Sequence, residues 1–149
     1  MPTNKPIKVE YRTLVAIWLG LLASQLIFVV AVYFAKPELL TPDTTRSFRG
    51  DNPYVTLAFA VIAFAFFILS FVLSHQHVRR AVRDQDAECV QTALLLGCAL
   101  SEVASVLGLL LALLFDYPYF YLWIALGTLG VLMHFPRKRT LHAAGFKNI

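Results

Sequence analysis

Charge is the scarce ingredient of this sequence. Only 15% of its 149 residues are charged, against 58% hydrophobic, and the mean hydropathy is +0.67. So little polar surface excludes an ordinary soluble domain, whose charged residues normally amount to about a quarter of the chain. Cysteine is also scarce. Cys89 and Cys98 stand nine apart on one predicted helix, so their side chains cannot meet, and no C-x-x-C or haem-attachment motif is present. Catalytic signatures are missing too: no serine nucleophile elbow, no Walker loop, no H-E-x-x-H. An intramembrane protease needs paired acids or a Ser/His pair inside its spans, and here only Glu102 is available. The reading is therefore a non-enzymatic chain with no catalytic, cofactor-binding or metal-ligating residues.

The charges that do occur are clustered, and four apolar stretches lie between them. Thr13 to Ala35, Pro53 to Ser74 and Tyr117 to Phe135 carry no charge, and Cys89 to Phe115 is interrupted only by Glu102. A bilayer core needs roughly 20 helical residues to cross it. The fold class is therefore all-α: a polytopic membrane protein forming one transmembrane domain over residues 1–149. Its four transmembrane helices, packed as a bundle, cover about 13–35, 53–74, 89–115 and 118–135. The first run exceeds the roughly 7–15 residues of a signal-peptide core. Tyr33 occupies the position near Ala35 where a cleavage site wants a small residue, so the run reads as a spanning helix.

Lysine and arginine give the orientation. Lys5, Lys8 and Arg12, then Arg79, Arg80 and Arg83, then Arg137, Lys138, Arg139 and Lys147 fall on one side of a four-span topology. The other side has only Lys36, Arg46 and Arg49. This asymmetry predicts both termini in the cytoplasm. The basic residues flank spans and form no aromatic-interleaved patch, which argues against nucleic acid as a partner.

Local signals mark the helix ends. Asn52-Pro53 reads as the cap of helix two, with the Asn side chain accepting from free N–H groups, and Asp116 with Pro118 reads the same way for helix four. Lys36-Pro37 ends helix one. HQHVRRAVRDQDAE, residues 75–88, has no Gly or Pro, so helices two and three should run past the membrane and turn near Arg83-Asp84-Gln85-Asp86. His75 and His77 are two apart and do not share a helix face, so they read as interfacial histidines. His134 lies at the edge of helix four, and no other His reaches membrane depth, so no haem site is expected. Tyr33, Phe34, Tyr54, Tyr117, Tyr119, Phe120, Tyr121 and Trp123 read as an aromatic belt at headgroup level.

The polar residues inside the spans are the candidate site. Glu102 falls near the middle of helix three, where an isolated charge costs roughly 2.5–3.5 kcal/mol on insertion scales. Ala93, Gly97, Ser101 and Ser105 form a ridge on that helix, nearly continued by Gly108 and Ala112. Helix one carries a similar ridge of Ala16, Gly20 and Ser24, with Gln25 beside it at similar depth. Small residues at this spacing let helix backbones approach closely. Helices one and three are therefore expected to pack through these ridges, with Gln25 and Glu102 hydrogen-bonded across the contact. Two roles stay open for Glu102. It is interhelical glue, or it binds a proton or cation with help from Ser101 and Ser105.

The segment DQDAECVQTALLLGCALSEVASVLGLLLALLF, residues 84–115, resembles the carboxylate-bearing helix of ATP synthase proteolipid (c) subunits. That resemblance implies an ion-carrying role for Glu102. Helix two, LAFAVIAFAFFILSF, departs from it in having no glycine where the first helix of a c subunit is glycine-rich. Over the whole chain, ALSE at 99–102, DYPYFYL at 116–122 and FPRK at 135–138 resemble a group of small bacterial four-helix membrane proteins, sometimes labelled c-subunit-like. The resemblance implies a bacterial inner-membrane protein and brings no activity with it.

From these readings the expected role is an accessory, structural or assembly subunit of a larger inner-membrane complex. The alternative is a proteolipid-like ion carrier. Expected partners are membrane lipids and other subunits, and self-association is left open. No cofactor is predicted, although a surface lipid, pigment or quinone needs no fixed motif.

Overall fold

The computed structural model describes residues 10–41, 47–48 and 50–145. Lys5, Lys8, Arg46, Arg49 and Lys147, which enter the charge asymmetry, lie outside the described residues. The described chain is all-helical. Helix α1 is Tyr11–Ala35, a short 3₁₀ turn follows at Pro37–Leu40, and α2 is Pro53–Asp84. Then come α3, Ala87–Phe115, α4, Phe120–Met133, and α5, Lys138–Gly145. Three helices are long and apolar enough to cross a membrane: α1, α2 and the part of α3 from Glu88 to Phe115.

Helix α4 is shorter than the 118–135 expected from sequence. Its 14 residues reach about 21 Å at 1.5 Å per residue. Prolines at both ends explain the difference. Pro118 sits in a turn before the helix, and Pro136 disfavours helical geometry at Phe135.

The capping chemistry also differs from expectation at two points. Asn52 does precede α2, but its side chain makes no cap bond. Its main-chain carbonyl instead accepts from the N–H groups of Val55 and Thr56, each at 3.1 Å. Asp116 does not start α4. It ends α3 in the left-handed region at φ 49, and its carboxylate pairs with Lys36 at the end of α1. That ion pair ties the two helix ends together. The α2–α3 turn falls at the expected residues. Gln85 is left-handed (φ 51, ψ 47), the Asp86 N–H folds back to the Ala81 carbonyl at 3.0 Å, and the Asp86 carboxylate caps α3 by accepting from Glu88 N–H at 2.9 Å.

A left-handed backbone costs a non-glycine residue about 1–2 kcal/mol, and glycine returns about 0.4–1 kcal/mol of that to the unfolded chain. Gln85→Gly is therefore expected to stabilise the protein by about 0.5 kcal/mol, read as a raised midpoint in a thermal melt.

Helix α3 is the central element, in contact with α1, α2, α4 and α5. Two apolar clusters sit along it. One lies toward the α2–α3 turn and includes Leu14, Trp18, Val90, Leu94, Cys98 and Val131. The other lies toward the opposite end and includes Val32, Leu111, Ala112, Tyr117, Phe120 and Ile124. Helix α1 contributes through Leu14, Trp18, Gln25 and Val32, all buried, with Leu21 and Phe28 half-buried between them. The alternating steps of four and three make a heptad-like seam. The Trp18 Nε1–H donates to the Val131 carbonyl at 2.8 Å and docks α1 on α4.

The expected aromatic belt divides in two. Tyr33, Phe34, Tyr54 and Tyr121 are exposed, whereas Tyr117 and Phe120 are in the core. The Tyr117 hydroxyl donates to the Phe48 carbonyl at 2.8 Å, pinning the end of the α1–α2 loop over the α3–α4 turn. Gly50, at φ +66, packs on the same ring: a Cβ there would lie 3.0 Å from Tyr117 Cδ2.

Candidate functional site

Between the two apolar clusters lies a polar layer, formed by the residues that interrupt the apolar runs. Glu102, on α3, is half-buried. Its Oε1 lies 2.6 Å from Ser24 Oγ and 3.3 Å from Gln25 Nε2, both on α1. Gln25 is 3% exposed, and both ends of its amide are engaged. Its Nε2 donates to Glu102, and its Oε1 accepts a short hydrogen bond from Ser105 Oγ on α3. Ser105 Oγ also lies 3.4 Å from the Ile124 carbonyl of α4. Gln25 thus links the acid to Ser105 and ties α1 to α3 at two points.

Ser24 Oγ lies 2.6 Å from Glu102 Oε1 and also 2.6 Å from the Leu21 carbonyl. A hydroxyl has one proton, and a carbonyl can only accept. The Ser24 proton can therefore serve only one of these two acceptors at a time, the Leu21 carbonyl or Glu102 Oε1.

The other two predicted polar residues do not converge on the acid. Ser101 Oγ lies 2.9 Å from the Gly97 carbonyl and 3.2 Å from Ser70 Oγ of α2. Ser70 in turn donates to the Phe67 carbonyl at 2.7 Å. Ser101 thus belongs to an α2–α3 link, and Ser105 reaches Gln25 rather than Glu102. Sequence reasoning gave Ser70 no role. The available signal was its position as an isolated hydroxyl in the middle of a helix otherwise apolar from Leu57 to Leu73.

The small-residue ridges require a correction. The glycines of the α3 ridge pack on α4 and its C-terminal end, and of the ridge's polar members Ser105 also reaches Gln25 of α1. A Cβ at Gly97 would run into the His134 ring, and one at Gly108 would lie 2.5 Å from Trp123 Cβ and 3.0 Å from the Phe120 carbonyl. The opposing small residues are Gly127 and Gly130 of α4. A Cβ at Gly130 would lie 2.6 Å from Ser101 Cβ and Oγ, and one at Gly127 would collide with Ser105 Oγ. On α1, Ala16 and Gly20 are outside the core, and a Cβ at Gly20 meets nothing within 4 Å. Only Ser24 of that ridge reaches α3. The physical reason is burial. Gly20 is about 200° around the helix from Trp18, and facing it inward would turn Leu14 and Trp18 outward, losing their packing and the Trp18 bond to the Val131 carbonyl. The missed signal was Gly127-x-x-Gly130, which offers α3 a closer backbone than α1 does.

His134 closes this interface. Its Nδ1 is 2.7 Å from the Gly130 carbonyl, and its ring stacks on Phe71 of α2 at 4.7 Å. His75 is exposed, and His77 Nδ1 contacts the Leu73 carbonyl at 2.8 Å. Among the described residues, no group of three or more His, Cys, Asp and Glu could hold a metal ion. Cys89 and Cys98 are free thiols.

Against known proteins, no family model, curated protein or solved structure matches this chain.

Proposed function

We propose that this chain is a non-catalytic integral membrane protein of a bacterial inner membrane, serving as an accessory, structural or assembly subunit of a larger energy-transducing complex. In this reading α1 to α4 cross the bilayer as a four-helix bundle. The segment around α4 completes its crossing with its flanking apolar residues, and both termini face the cytoplasm. The observation that carries the proposal is the interhelical polar layer. The amide of Gln25 bridges Glu102 and Ser105, and the Ser70–Ser101 pair lies between α2 and α3. These groups face one another rather than line a route to either surface, which suits interhelical glue. The broad exposed faces of α1 (Leu26, Ile27, Phe34) and α2 (Leu57, Val61, Phe64) leave apolar area for lipid and for neighbouring subunits.

Mild-detergent purification of a tagged chain, followed by a native gel and mass spectrometry, tests this reading. Stoichiometric co-migration with a respiratory, photosynthetic or transport complex is the expected result. A lone monomer or homo-oligomer would sink it.

A second reading has one observation in its favour. Glu102 remains partly accessible, and Ser24 and Gln25 both reach the same one of its oxygens. Together with the resemblance of α3 to proteolipid helices, this supports a proton- or cation-carrying carboxyl. Labelling of Glu102 by a hydrophobic carbodiimide, with protection by a specific cation, would favour this reading over the first.

A further inference from the structure

A cleft of about 250 Å³ lies between α2, the first turns of α3 and the α4–α5 connection. This is well above the roughly 10–15 Å³ that one water needs on the same measure. It sits where the apolar run of α2 gives way to charge, one turn before Arg79 and Arg80. Its walls are of two kinds. Phe71, Val78, Leu94 and Met133 are apolar, and Ser74, His75, Thr140 and Arg137 supply hydroxyl, imidazole and guanidinium groups. No acidic side chain among the described residues lines it. Among the described residues no carboxylate pairs with Arg137, which is exposed at its rim.

We infer that this cleft holds the phosphate headgroup of an anionic phospholipid. The guanidinium and hydroxyls would donate to the phosphate oxygens, and the glycerol and first acyl carbons would lie on Phe71 and Met133. A basic pocket between helices at the interface favours anionic over zwitterionic headgroups. Phe71 and Met133 lie on the span side of the donors at Ser74 and Arg137, and an apolar wall next to a basic rim fits an amphiphile better than a free ion. The inference rests on the chain lying in a bilayer. It does not depend on whether the chain joins a complex, so the native-gel experiment can fail without affecting it.

The test is native mass spectrometry of the full chain in mild detergent, titrated with phosphatidylglycerol, phosphatidylcholine or sodium phosphate. Wild type should retain phosphatidylglycerol about fivefold over phosphatidylcholine, the contribution of one arginine near the headgroups. Arg137→Gln should remove that preference, as should Ser74→Phe, which fills the cleft. Arg80→Gln should keep it, because Arg80 is two residues past Val78 and about 200° around α2. Equal retention of the two lipids by wild type would overturn the inference. So would a preference untouched by both Arg137→Gln and Ser74→Phe, which would reflect surface charge in general. Saturable binding of inorganic phosphate at the same strength would reassign the cleft to a soluble phosphate and would also overturn it.

Discussion

Gly127→Leu is expected to be the most destabilising single substitution in the interior of the detergent-solubilised protein. A Cβ at position 127 would collide with Ser105 Oγ and lie 3.1 Å from the Ser101 carbonyl oxygen. The hydroxyl can rotate away, at the expense of its bond to Gln25. The carbonyl belongs to the backbone of α3 and cannot move without shifting the helix. Overfilling a packed interior costs about 1–3 kcal/mol. For Gly127→Ala, helix propensity returns about 1 kcal/mol, so a net loss of about 1 kcal/mol is expected. Leucine adds three more heavy atoms to the same space, and its loss should reach about 3 kcal/mol. Gly20→Ala provides the contrast. With nothing within 4 Å, it should be neutral or stabilising by up to about 1 kcal/mol. Circular dichroism melts of the three variants check this. If Gly20→Ala destabilised and Gly127→Ala did not, the small-residue ridge of α3 would face that of α1 as the sequence suggested, and the close α3–α4 contact at Ser101 and Ser105 would be wrong.

Gln25→Leu should have the next largest effect, and Glu102→Gln almost none. Leucine fills the same volume but leaves Ser105 Oγ and Glu102 without the amide that joins them. In a water-soluble interior each orphaned group would cost about 1–3 kcal/mol. Within membranes the measured coupling is smaller, about 0.6 kcal/mol on average and about 1.7 at most, because the separated helices find other partners. The membrane figures apply to this site, so two lost contacts give about 1–2 kcal/mol. Glu102→Gln keeps an acceptor for Ser24 and Gln25 and should change stability by less than about 0.5 kcal/mol. A double-mutant cycle between Gln25→Leu and Glu102→Leu isolates the pair. A coupling indistinguishable from zero would mean that the 3.3 Å contact does not hold α1 to α3. A stable Glu102→Gln protein that has lost a cation-dependent activity would shift the balance to the ion-carrying reading.

Several elements were legible in the order of residues. The gaps between charges marked α1, α2 and α3, because a run of about twenty apolar residues has few alternatives to a span-length helix. Lys36-Pro37 marked the end of α1, and the absence of Gly and Pro from residues 75 to 88 let α2 run on to Asp84. The depth match of Gln25 and Glu102 was legible too, because residue count along a helix measures distance along its axis.

What the sequence by itself determined is therefore one-dimensional: which residues are helical, where the helices turn, and which polar groups sit at the same level. Tertiary structure alone decided the rest. Small-residue ridges occur on α1, α3 and α4, and spacing along a chain does not say which two will meet. That choice was made by the bulk of Leu14 and Trp18, which turned Gly20 outward, and by Gly127 and Gly130, which let α4 lie close on Ser101 and Ser105. The same packing placed Asp116 at the end of α3 beside Lys36, and Ser70 beside Ser101. These pairings depend on the shapes of two facing surfaces at once, and that information is not carried by either helix alone.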